Sequence, residues 1–264
     1  MPIDQFHLGS LGAGAMRLLT AILSLLMACS LHGQERRRRM LIAPTKAGSS
    51  CNNSCSASVF CEKFEGAFDD GGWTTPPTGF SFVAEARGSC SAQFARVDTG
   101  AASLGDEVGN NKSDTAKGYV TVRFRIHTSS ITSGSSLTIF RAHQSTGSGG
   151  SAIWNITVTN ASGTLKVSVI DAQGLIANSW QTITLDGWYL LGEFWNNTDD
   201  VSEWYLSTTD SLTLVDATTP SGTSRSVGQV FYGYLARIGT VAGTVFDIDS
   251  FAWDGSGFKL IEYQ

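Results

Sequence analysis

Charge is scarce in this chain. Asp, Glu, Lys and Arg make up 16% of its 264 residues, against the roughly one quarter usual in globular domains. Strong helix formers are sparse after residue 50, where Ser, Thr, Val and aromatic residues dominate. That shortage excludes a helical bundle and favours strands and turns. The net charge of −5 disfavours nucleic acid as a partner; the run Arg36 to Arg39 is a local exception. No G-x-S-x-G elbow occurs, and past the N-terminal segment only His127 and His143 remain, so nucleophile chemistry has little support. Ser148-Gly-Gly150 follows a strand pattern without the Lys-Ser/Thr of a nucleotide loop. No repeat of fixed period is evident.

The N-terminus carries the one long apolar run, Leu18 to Leu31. It is shorter than the about 20 residues that span a bilayer, and with Arg17 ahead of it it suits the core of a secretory signal over residues 1–33, with Met16 as an alternative start. Leu26-Met-Ala-Cys29 resembles a lipid-attachment motif, which would make Cys29 the sole membrane anchor. The arginines at 36–39 oppose export, because positive charge just after such a run resists translocation. Residues 34–57 have no periodicity and read as a linker. The remainder, 58–264, reads as one domain.

Setting Cys29 aside, Cys51, Cys55, Cys61 and Cys90 remain. Their C-x3-C-x5-C spacing lacks paired C-x2-C knuckles and has no nearby His, which favours disulfides over zinc. Four cysteines allow three pairings, which sequence leaves open; Cys61 with Cys90 and Cys51 with Cys55 is the expected arrangement.

The domain is a series of short alternating runs. In 118–127, Val120, Val122, Phe124 and Ile126 share one face, and Tyr119, Thr121, Arg123, Arg125 and His127 the other. Further strands are expected at 136–143, 153–160, 164–172, 179–185, 187–197, 201–208, 231–240 and 244–253. Asn160-Ala-Ser-Gly163 and Thr198-Asp-Asp200 suit hairpin turns. About ten strands and no convincing helix predict an all-β, antiparallel two-sheet sandwich of jelly-roll type.

Three segments carry a resemblance. Cys61-Glu-Lys-Phe-Glu-Gly66 followed by Trp73 is similar to the first strand of many secreted bacterial sandwiches, and Phe246-Asp-Ile-Asp-Ser-Phe-Ala-Trp253 to their last. Trp188 to Trp195, a polar turn and Glu203-Trp-Tyr-Leu206 resemble a strand pair of the same group. The group is the concanavalin A-like lectin/glucanase superfamily, including laminin-G-like jelly rolls. The resemblance implies a concave sheet that binds a glycan, and a structural calcium held by Glu65 and Asp249 where the first and last strands meet. The chain departs from the glucanases, whose E-x-D-x-E acids it lacks. Retaining hydrolysis needs two carboxylates about 5 Å apart, and only Asp247 and Asp249 come near that pattern.

Two further constellations stand out. Arg125-Ile-His127 and Arg141-Ala-His143 each place Arg and His on one face; were their strands neighbours, the four side chains would form a cationic patch. Such a patch suits an anionic sugar, with Arg holding a carboxylate and neutral His taking a proton in β-elimination. Tyr119 or Tyr189 would serve as the acid. Among the aromatics, alternation puts Trp195 and Glu193 on the face opposite Trp188 and Phe194. With Arg123, Arg125 and His127, they are the expected ligand-binding residues. The expected function is extracytoplasmic carbohydrate binding or adhesion at a polysaccharide or cell surface. A polysaccharide lyase, then a hydrolase, and a purely structural module are the alternatives.

Overall fold

The computed structural model describes residues 60–62, 78–87, 90–144, 152–171, 179–199, 201–209, 211–218 and 226–259. All fall in one compact unit, Pro44–Gln264. The expected signal segment, linker, Cys29, Arg36 to Arg39, Cys51, Cys55 and Glu65 lie outside the described residues, as does the side chain of Cys90. No helix occurs among the described residues.

Fourteen strands run in chain order: β1 (Phe60–Glu62), β2 (Phe80–Arg87), β3 (Cys90–Asp98), β4 (Glu107–Thr115), β5 (Lys117–Thr128), β6 (Ser136–His143), β7 (Ala152–Ala161), β8 (Thr164–Asp171), β9 (Gln181–Thr182), β10 (Tyr189–Asn196), β11 (Val201–Ser207), β12 (Thr213–Thr218), β13 (Val227–Ile238) and β14 (Val245–Asp254). They form two antiparallel sheets. One has eight strands in the order β12-β11-β10-β5-β14-β3-β2, with β1 also on β14; the other has six, β4-β13-β6-β7-β8-β9. The expected all-β sandwich is therefore the observed fold. Its first and last strands lie side by side, Cys61 opposite Ala252. The expected hairpins are β7–β8 and β10–β11.

The core lies between the sheets. Val120, Val122, Phe124 and Ile126 of β5 enter it as alternation requires, and Phe246, Ile248, Phe251 and Trp253 enter from β14. Val108, Tyr232, Phe140, Ala142, Trp154 and Ile156 face them from the six-stranded sheet. Phe140 stacks on Phe251 across the interface with centroids 5.1 Å apart.

Strand β10 corrects the expectation for the aromatics. Its alternation is as read, but the faces are exchanged. Tyr189, Leu191 and Trp195 join the core, so Trp195, 1% exposed, is no open platform. It packs against Trp253 at 5.7 Å and Trp154 at 6.5 Å. Glu193 lies in the same alternation and is fully buried, accepting a hydrogen bond from Ser202 Oγ at 2.7 Å. Phe194, on the opposite face, is also fully buried. It stacks on Tyr119 at 4.6 Å, Tyr119 meets Phe258 at 5.2 Å, and Phe258 meets Tyr205 at 4.9 Å. The physical reason is that β10 runs between β5 and β11, while the C-terminal segment around Phe258 lies over its outer side. A strand covered on both faces cannot reveal which face is open by alternation alone.

Candidate functional site on the six-stranded sheet

The two Arg–His pairs do not meet. Arg125 and His127 lie on β5 of the eight-stranded sheet, and Arg141 and His143 on β6 of the six-stranded sheet. The four-residue patch expected from sequence loses its premise, because the chain crosses from one layer to the other between β5 and β6.

On the eight-stranded sheet the arginines are tied into the sheet's outer side. Arg96, Asp247 and Arg125 form one cross-strand row over β3, β14 and β5. Arg96 donates to Asp247 through Nε at 2.7 Å and a terminal nitrogen at 3.0 Å, and Arg125 Nε donates at 2.6 Å. The Arg125 guanidinium sits between the Phe94 and Trp188 rings, 4.8 and 4.6 Å from their centroids, where its flat apolar faces are covered. Asp249, fully buried, faces Arg123 at 3.9 Å. A carboxylate set against a guanidinium does not suit a hard cation, which wants several free oxygen ligands. The other expected calcium ligand, Glu65, lies outside the described residues, so the expected pair is not placed as a site. His127 reaches Asp186 at 2.5 Å at the exposed margin, a position where an ion pair contributes little. Tyr189 is occupied too: its hydroxyl accepts the Thr184 N–H at 2.9 Å.

The six-stranded sheet presents a different outer face. Alternation sends Val108, Tyr232, Ala142 and Trp154 inward, so Glu107, Gly109, Phe231, Arg141, His143 and Asn155 point out. Register aligns Gly109, Phe231, Arg141 and Asn155 in one row across four strands, and Gln229 with His143 in the next. Arg141 Nε donates to Asn155 Oδ1 at 2.9 Å, which fixes the guanidinium. Phe231 lies over Gly109, where a Cβ would come within 2.5 Å of the ring. Its ring also meets the His143 imidazole edge-on at 5.1 Å. Arg141, His143, Asn155, Phe231 and Glu107 are each half-buried, whereas Arg125, Asp247 and Asp249 of the other face are buried.

The electrostatics of this face follow from that partial burial. Desolvation, and secondarily the Arg141 charge, lower the His143 pKa from its ordinary 6.5. Desolvation raises the Glu107 pKa above 4.5, with the Arg141 charge opposing. The His is therefore neutral at neutral pH, and the Glu holds its proton longer than an exposed carboxyl.

The signs for stability are opposite. A depressed His pKa means that the unfolded chain takes the proton first, so stability falls as pH drops below 6.5 toward the lowered value. A raised Glu pKa gives stability that is full below 4.5 and lost as pH rises through the raised value. Urea unfolding across about pH 5 to 8 is expected to show a shallower acid decline for His143→Gln and a more stable Glu107→Gln at pH 7. Variants that track the wild type throughout would contradict this.

Sequence reasoning found Arg141 and His143 but missed Glu107, Asn155, Gln229 and Phe231. The expected strand 231–240 includes Phe231 but stops short of Gln229, and the register that sets both beside β6 is not visible in sequence.

No protein-family model matches the sequence, and no curated protein matches it. Solved structures do resemble the fold. One described as "Cellulose induced protein, Cip1" has a TM-score of 0.54 at 16% identity, spanning 76% of this chain and 99% of that one. An engineered GH43 glycoside hydrolase with endo-xylanase and exo-arabinofuranosidase activity has a TM-score of 0.46 at 12% identity, spanning 80% of this chain and 42% of that one. The binding domain of Paraclostridial Mosquitocidal Protein 1 has a TM-score of 0.46 at 11% identity, spanning 71% of this chain and 44% of that one. The chain thus spans nearly all of the first and less than half of the other two. At these identities the likeness is one of fold.

Proposed function

We propose that this chain is an extracytoplasmic glycan-binding or adhesion module of the concanavalin A-like superfamily, and that it binds an acidic sugar on the outer face of its six-stranded sheet. The apolar run at 18–31 and the four remaining cysteines belong to the same reading, since a signal segment and disulfides both suit a secreted protein. The observation that carries it is the half-exposed row Phe231–Arg141–Asn155, with His143 beside it, on a sandwich whose other sheet holds Arg125 and Asp247 buried in an ion pair. Arg141 is held through Nε, which leaves its terminal nitrogens for a carboxylate in the two-point geometry that arginine favours. Phe231 offers an aromatic surface to a sugar ring. The nature of the fold neighbour described as cellulose-induced agrees with a carbohydrate role.

A second reading is β-elimination. It is favoured by a neutral His beside an Arg, with a proton-retaining Glu close enough to feel the Arg charge. The panel that tests both is alginate, pectate, glycosaminoglycans and neutral glucans, read for binding and for the absorbance of unsaturated uronate. Binding of an acidic polymer, weakening with salt and about ten- to a hundredfold weaker in Arg141→Ala, is expected. Unsaturated uronate would establish the lyase; failure of every acidic polymer to bind would remove both readings.

A further inference from the structure

The two layers of the sandwich differ in width, and the mismatch leaves a recess. Among the described residues the six-stranded sheet ends at β9, only two residues long. The eight-stranded sheet continues through β10 and β11 to β12. Between β9 and this overhang lies an open recess of about 380 Å³, within the range of small-molecule sites, about 300–1,000 Å³.

Its lining has a distinct chemistry. Gln181 and Thr182 form the wall from β9, and Thr213 and Ser207 that from β12 and β11. Leu206 and the ring of Tyr189 form an apolar floor. None of the described residues that line it is charged, in contrast to the Arg141 face. The polar groups are held in place. Ser207 Oγ accepts the Thr209 N–H at 3.0 Å, and the Tyr189 hydroxyl is fixed by Thr184, so the ring cannot swing across the opening. Neutral hydroxyl and amide groups around an aromatic–aliphatic floor suit a ligand with one apolar face and a rim of hydroxyls. An ion would find no counter-charge among the described lining residues.

We propose that this recess is a second binding site, independent of the Arg141 face, for a neutral polyhydroxylated ligand the size of one sugar ring. The rim hydroxyls and the Gln181 amide exchange hydrogen bonds with the ligand's hydroxyls, and its C–H face rests on Tyr189 and Leu206.

The test is a titration of the full chain with the methyl glycosides of glucose, galactose and mannose, followed by backbone amide shifts. At least one glycoside is expected to saturate, with shifts concentrated at residues 206–208 and 213–215. Thr213→Trp, which fills the recess from an exposed edge position, is expected to weaken binding about tenfold or more. Gln181→Trp on the opposite wall serves the same purpose should the first variant fail to fold. Arg141→Ala is expected to leave the affinity unchanged. Three glycosides without saturation, shifts centred on β6 and β13, or an affinity that ignores folded recess-filling variants would each overturn the proposal.

Discussion

Trp195→Ala is expected to destabilise the fold by about 3–5 kcal/mol, the range for emptying a large aromatic site in a packed core. The indole is 1% exposed and sits among Trp253 and Trp154. Its Nε1 donates to the Thr115 carbonyl at 3.2 Å, and its six-membered ring lies against Gly118, where a Cβ would fall 2.5 Å away. Truncation removes all of these contacts and leaves a cavity that the flanking strands cannot close. Urea denaturation reads the loss directly. A variant as stable as the wild type that no longer binds glycan would return Trp195 to the open-face role that its sequence position suggested.

Asp247→Asn has the second large effect, about 3–5 kcal/mol. The carboxylate is fully buried and receives three hydrogen bonds from two arginines on the strands flanking β14. Asparagine keeps the shape but removes the charge and one acceptor, so Arg125, between Phe94 and Trp188, is left with weaker compensation in a desolvated place. The exposed pair His127–Asp186 provides the contrast: Asp186→Asn is expected to cost no more than about 1 kcal/mol. Equal losses at the two positions would mean that the Arg–Asp–Arg row adds nothing beyond a surface ion pair.

The sandwich was legible where alternation is strong. β5, β6, β7, β8, β10, β11, β13 and β14 all overlap expected strands, because each sends an apolar file into the two-layer core. Four strands escaped notice: β2 (FSFVAEAR) and β3 (CSAQFARVD) were missed although β2 alternates, whereas β4 and β12 carry weaker patterns. β4, EVGNNKSDT, is polar nearly throughout and is a strand because β13 pairs with it; β12 is a short edge strand in the same position beside β11. Pairing partners are a tertiary property that local propensity does not contain.

The site was legible in composition but not in assembly. Arg141 and His143 were identified from their spacing on one strand, yet they were grouped with Arg125 and His127 on the assumption that successive strands neighbour one another. Here β5 and β6 are successive but lie in different sheets, which turned one imagined patch into a buried ion-pair row on one sheet and a half-exposed row on the other. Glu193 and Trp195 misled for a related reason: alternation separates the two faces of β10 but does not say what covers each.

The most direct test of the open face compares Arg141→Ala with His127→Ala in binding an acidic polysaccharide that the wild-type chain retains. Both side chains are partly exposed, and they lie on opposite sheets. The six-stranded face predicts binding about ten- to a hundredfold weaker in Arg141→Ala and unchanged in His127→Ala. Loss in His127→Ala with full retention in Arg141→Ala would place the glycan on the other sheet and contradict the account.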